Sequence, residues 1–306
     1  MSLRAGVIGA GAFGRHHARK YAEDPRAELV GVFDLDDERA EMLAKTHKVR
    51  AFESAEALID AIDVLTIASP PSTHGNTALA ALAARKHVLV EKPLATDLDA
   101  AEEMVRLAEA QHLVLACGHQ ERLVFEAMGL LAAPERPTLI ESVREGPWTG
   151  RSADVSVTLD LMVHDLDLAL RLLGDAHGDV SAKGQAIHGA SADRIEADIR
   201  FGAMRACLVS SRVADTRKRT MRAVYPSGEV RINFLTHEFE NTTGFALNSG
   251  FAETPEARDA LGANVARFLD AVAGERPRPV VNGPEALAVL KLALDVDRAS
   301  GLPSLS

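Results

Sequence analysis

At 306 residues, with 47% hydrophobic and 25% charged residues, the chain has the composition of a globular protein and the length for two hydrophobic cores. A formal charge of −10, carried by both halves alike, argues against nucleic acid or an anionic membrane as partner. Only Cys117 and Cys207 occur, with no Cys-x-x-Cys or His/Cys cluster, so no disulfide framework or metal site is expected, and with no signal-peptide core or ~20-residue apolar span the expected location is a reducing cytoplasm.

Along residues 3–118, short apolar runs at 3–9, 27–34, 63–69, 87–91 and 112–118, with a brief one at 49–52, read as strands. They alternate with helical patterns at 12–23, 36–46, 54–60, 73–85 and 97–110, several opened by capping candidates such as Ser54, Ser72 and Thr96. Continuous apolar strands separated by helices describe an α/β fold, a doubly wound parallel sheet covered on both faces.

The first strand runs into "VIGAGAFGRHH". Gly9, Gly11 and Gly14, with Ala12 and Phe13 between them, form a Gly-x-Gly-x-x-Gly that closes a strand and opens a helix, where bare backbone N–H groups can receive a diphosphate. Asp34 ends the second strand, where a carboxylate accepts from an adenosine ribose. Together these point to a Rossmann dinucleotide-binding domain. A carboxylate at this place repels a 2′-phosphate, which favours NAD over NADP, although Arg39 lies on the following helix. His16 and His17 read as solvent-facing or packing residues rather than metal ligands.

After residue 120 the pattern changes. One helix is expected at 158–173, and residues 179–242 then give strand after strand, with Ile195, Ala197, Ile199 and Phe201 alternating onto one face. Helices return at 255–273 and 284–299. The reading is a dinucleotide-binding domain at 1–120 and, at 121–306, an α+β domain for substrate and oligomerisation. Its open, mostly antiparallel sheet has a face free for a homodimer or homotetramer contact.

Three segments carry a resemblance over nearly the whole chain: "GAGAFG", "IASPPSTHGNTALAALAARKHVLVEKPLA" at 67–95 and "DLMVHDLD" at 160–167. They resemble the Gfo/Idh/MocA oxidoreductases, which include glucose-fructose oxidoreductase and inositol dehydrogenase. The resemblance implies that Lys92 lies between nicotinamide and substrate, and that Asp160 and His164 meet it in the cleft between domains. The chemistry of the residues agrees. Oxidising a secondary alcohol needs a group to polarise the oxygen, which an ammonium can do, and a base for the hydroxyl proton. Asp160 and His164 are four apart, so on a helix they share a face and the carboxylate can orient the imidazole. Read without the resemblance, Glu91-Lys92 is also a solvated surface pair, and a helical His-Asp pair is more often structural.

Ser69, Pro70, His74, Glu91 and Lys92 are read with the glycine loop as cofactor-binding, His74 having a packing role as its equal alternative. Glu91 would hold local geometry, and Pro93 would fix the turn, with a cis bond as one option. Gln120 and Arg122 are candidates for substrate hydroxyls, although Leu123-Val124-Phe125 departs from the Phe-Asn-Pro that many relatives have after the arginine. The implied substrates are small-molecule sugars, cyclic polyols or nucleotide sugars, and residues 154–170 look most like members that oxidise a UDP-N-acetylhexosamine at the sugar 3-position. Arg212, Arg217, Lys218, Arg219 and Arg222 form a basic cluster that could meet a diphosphate, against a blander reading as solvated strand ends. The alternative function is a non-catalytic dinucleotide or sugar sensor on the same fold.

Overall fold

The computed structural model describes residues 2–174 and 178–305, and the chain divides into two compact units. The first comprises residues 1–120 and 259–287, the second residues 121–258 and 288–306.

In the first unit, Leu3–Ile8 (β1), Ala27–Phe33 (β2), Arg50–Ala51 (β3), Val64–Ile67 (β4), His87–Val90 (β5) and Leu115–Cys117 (β6) form a parallel sheet in the order β3-β2-β1-β4-β5-β6. The helices Ala12–Glu23 (α1), Asp37–His47 (α2), Ala55–Ala61 (α3), His74–Ala83 (α4) and Leu98–Ala110 (α5) connect them. This is the doubly wound Rossmann order, whose direction of growth reverses between β1 and β4. All four residues of β4 are buried, as a strand covered on both faces requires. Ser54 caps α3 as expected, but α5 is capped by Asp97 rather than Thr96, and Ser72 lies inside a short 3₁₀ turn.

The return of residues 259–287 to this unit departs from a simple division at residue 120. Its reason is hydrophobic: Val265, Phe268 and Leu269, on one face of a helix at Ala260–Val272, are buried in the same cluster as Ala5, Val7, Val32, Val64 and Leu89.

The second unit opens with Glu121–Met128 (α6) and Leu139–Glu145 (β7), followed by a π-helical turn at Thr158–Met162 that leads into Val163–Leu173 (α7). Asp179–Gln185 (β8), Arg194–Phe201 (β9), Met204–Ser211 (β10), Lys218–Tyr225 (β11), Gly228–Asn233 (β12) and Phe239–Asn241 (β13) complete a sheet ordered β13-β12-β11-β7-β10-β9-β8. Every neighbouring pair is antiparallel except β7 with β10. On one face Ile195, Ala197, Ile199 and Phe201 are buried, joined by Met221, Ala223 and Tyr225 from β11. The other face presents a groove lined by Glu141, Val143, Cys207, Lys218, Arg222 and Glu240.

Sequence patterning missed α6 and β7. The inward positions of β7 are Ile140, Ser142 and Arg144, so two of its three buried side chains are polar and no apolar alternation marks the strand. Among the described residues no helix is long and apolar enough to cross a membrane.

Candidate active site

In the first unit the singled-out residues gather at the carboxyl ends of the parallel strands, where ligands of open α/β sheets bind. Gly9 follows β1 with φ +98°, a conformation that favours glycine, and a Cβ there would lie 2.5 Å from the backbone of Ala68 and Ser69. A Cβ on Gly14 would lie 1.6 Å from the Gly9 carbonyl oxygen, so this glycine lets α1 pack against the loop. Gly11 is different, since a Cβ there would meet nothing within 4 Å. It is the N-cap of α1 and, being glycine, offers the helix no side-chain cap, which leaves the helix N-terminus open to a ligand. Asp34 steadies the loop: its carboxylate accepts from the Ala10 N–H at 2.6 Å and the Asp36 N–H at 2.9 Å. Each carboxylate oxygen has two lone pairs, so both retain capacity for ribose hydroxyls. An open cradle, a helix N-terminus and an adjoining carboxylate together fit a dinucleotide.

At the end of β5, residues 88–95 are buried except Lys92, which is half-buried. The following Lys92–Pro93 bond is cis. Glu91 turns inward, and its Oε1 accepts from Gln120 Nε2 at 3.2 Å and lies 2.7 Å from His17 Nε2. Burial works against the charge on Glu91, but the His17 hydrogen bond and the nearby Lys92 hold its carboxyl below the usual range. Gly118 is needed beside it, because a Cβ there would lie 2.8 Å from Glu91 Oε2.

His17 was not singled out by sequence reasoning as a site residue, yet it is fully buried on α1, three residues after Gly14. The available signal was its spacing with Gly14, Ala18 and Tyr21 on one buried helix face, where a polar side chain requires a partner. His17 thus ties the helix of the glycine loop to the residue preceding Lys92.

His74 is buried, with Nδ1 2.7 Å from the Pro93 carbonyl and Nε2 2.9 Å from the Ser69 carbonyl. It bridges the segment after β4, containing Ser69 and Pro70, to the one after β5. Burial pushes its pKa down, against the two carbonyls, which favour a ring N–H facing each of them. Ser69 Oγ is 2.7 Å from Thr73 Oγ1.

In the second unit, Asp160 lies in the π-helical turn and His164 in the first turn of α7. Both are half-buried, whereas Thr158, Leu159, Met162, Val163 and residues 165–169 are buried, so the two share the more accessible side. The neighbouring aspartates point inward. Asp167 accepts from Arg122 at 3.0 and 2.6 Å, and Asp165 accepts from Arg144 at 2.9 and 3.1 Å. Arg144 also donates to Glu121 at 2.8 Å. These buried pairs hold α7 to α6 and β7.

Arg122, expected to meet substrate hydroxyls, is 4% exposed and engaged bidentately by Asp167. Gln120 likewise donates to Glu91. The basic cluster also divides. Arg212 is buried against Asp193 at 2.7 Å and the Ser152 and Val155 carbonyls, and Arg222 pairs with Glu141 and Glu229. Among the described residues no group of three or more His, Cys, Asp or Glu is placed to hold a metal ion.

Residues 3–119 match the family model described as "Oxidoreductase family, NAD-binding Rossmann fold", GFO_IDH_MocA. Over 96% of both chains the protein is 38% identical to UDP-N-acetylglucosamine 3-dehydrogenase of Acidithiobacillus ferrooxidans. The solved structure of that enzyme superposes with a TM-score of 0.87 over 98% of each chain, at 36% identity. Glucose-6-phosphate 3-dehydrogenase of Bacillus subtilis is 41% identical over a shorter stretch, 39% of this chain and 34% of its own.

Proposed function

The chain belongs to the Gfo/Idh/MocA family of NAD-binding oxidoreductases, and on that premise we propose that this dehydrogenase oxidises a secondary alcohol of a nucleotide sugar, foremost the 3-hydroxyl of a UDP-N-acetylhexosamine. The observation that carries the substrate is the extent of the likeness: identity to the UDP-N-acetylglucosamine enzyme runs through both units, whereas that to the glucose-6-phosphate enzyme is confined to 39% of the chain.

In this reading the first unit, built on residues 1–120, is the dinucleotide domain. Gly9, Gly11, Ala12, Phe13 and Gly14 hold the diphosphate, Asp34 the adenosine ribose, and Ser69, Pro70 and His74 border the nicotinamide side. Bound NAD supplies an acceptor carbon for the hydride. Lys92 donates from its ammonium to the substrate oxygen and so stabilises the charge that grows there. His164 takes the hydroxyl proton, and Asp160 orients its imidazole and offsets the imidazolium charge. Glu91, kept ionised and bonded inside the unit, positions the end of β5 rather than acting as a base. The second unit binds substrate, and its open sheet face joins protomers as a dimer or tetramer.

The test is NADH formation with UDP-N-acetylglucosamine, set beside aldoses, inositols and glucose 6-phosphate. Turnover should favour the UDP-sugar, and Lys92→Met should lower kcat by about 10²–10⁴-fold while leaving NAD affinity nearly intact. Normal turnover in that variant removes Lys92 from the mechanism, and preference for an inositol overturns the substrate.

A further inference from the structure

Antiparallel pairing of β7 and β11 places Arg219 directly opposite Arg144. Opposed residues share a sheet face, and like charges so placed destabilise the pair. For Arg144 the repulsion is offset: it is fully buried, bonded to Asp165 and Glu121, with its guanidinium 5.6 Å from the Phe234 ring centroid. Arg219 is compensated only by the same two carboxylates, at longer range. Among the described residues its half-buried side chain makes no hydrogen bond or ion pair, and the two nearby carboxylates already serve Arg144. Burial draws its pKa down, and Arg144 and Arg217 act in the same direction against Glu121 and Asp165. Arg212 and Arg222, the other arginines of the strand-end cluster with buried or paired groups, are neutralised by carboxylates.

Two guanidinium groups on one strand pair, one of them making no ion pair of its own, in a chain of net charge −10, is an arrangement that an anion would complete. The guanidinium fork suits phosphate oxygens. Asp165, the partner of Arg144, directly follows the proposed proton acceptor His164 on α7. We propose that Arg219, seated opposite Arg144 and beside Arg217, is the subsite for the phosphate of a phosphorylated or nucleotide-linked sugar. This rests on the dehydrogenase reading above and supplies the feature that separates charged sugars from neutral polyols.

Equilibrium binding of UDP and of glucose 6-phosphate to the full chain, alongside steady-state kinetics with UDP-N-acetylglucosamine, tests the subsite. Arg219→Met should weaken UDP about 10–100-fold, the range expected for a lost charge-assisted hydrogen bond, and should raise KM with most of kcat kept. Arg219→Lys should restore part of the affinity. Because Arg219→Met removes a like-charge opposition, its Tm should equal or exceed that of the parent, an outcome that a purely structural arginine would not give. Stronger binding of UDP than of glucose 6-phosphate assigns the site to a diphosphate, and the reverse assigns it to a sugar phosphate. UDP affinity and KM indifferent to both substitutions would overturn the subsite even if UDP-sugar turnover is confirmed. Arg219-dependent UDP binding without UDP-sugar turnover would uphold the subsite and reject the substrate reading.

Discussion

The two sheets solve the placement of charge in opposite ways. In the first unit the strands are largely apolar, β4 and the last three residues of β5 being wholly buried, and the polar groups of the candidate site lie at the strand ends, at Gly9, Asp34, Ser69 and Glu91. In the second unit charge sits beneath the sheet, where Arg144 and Arg122 clasp Asp165 and Asp167 on α7. The parallel sheet has both faces covered by helices, so no strand position inside it offers water to an ion. The antiparallel sheet has one covered face and fixes its helix there with ion pairs. A site at strand ends can be altered with modest loss of fold, whereas one supported by buried ion pairs cannot.

The contrast is sharpest if Arg144 is cut. Arg144→Met leaves Asp165 and Glu121 without their shared partner, and loss of one member of a buried pair costs about 3–5 kcal/mol. Urea unfolding should report a loss of that size. A loss under about 1 kcal/mol, the level of exposed pairs, would place these ions with surface salt bridges and erase the distinction.

Within the first unit, two glycines should separate folding from binding. Gly14→Ala sets a Cβ 1.6 Å from the Gly9 carbonyl oxygen, so it should lower stability by about 1–3 kcal/mol and weaken NAD as well. Gly11→Ala meets nothing within 4 Å, so stability should hold while NAD affinity falls. Equal effects of the two on Tm would break the reading of Gly11 as the open side of the cradle.

The smallest expected effect is on acid stability. The Glu91 carboxyl is held below its ordinary value of 4.5 in the folded chain, so the stability it contributes is complete above that pH and is lost as pH falls beneath it. Unfolding midpoints between pH 7 and pH 3.5 should therefore show the parent converging on Glu91→Gln at the acid end. A gap between them that stays constant across this range would mean that His17 and Gln120 bind either form of the side chain equally.

How much of this was legible in sequence differs between the units for the same physical reason. The strands and helices of residues 3–118 could be read almost to their ends because burial on both faces writes itself as unbroken apolar runs, and the glycine spacing and Asp34 are local to one βαβ unit. β7 was invisible because Ser142 and Arg144 occupy its inward positions. The pairing of Arg122 with Asp167 was not legible either, because nothing nearby in sequence announces a partner 45 residues away.

The sequence alone determined the α/β class, the dinucleotide loop and the identities of Lys92, Asp160 and His164 as residues to watch, since each is a matter of periodicity, spacing or motif. Only tertiary structure decided their company: that His17 holds Glu91 across 74 residues, that the segment 259–287 folds with the first unit, and that Arg219 faces Arg144 rather than a carboxylate. Pairing between distant segments depends on strand register and on which buried polar group finds which partner, and those follow from satisfying hydrogen bonds in three dimensions, not from any order along the chain.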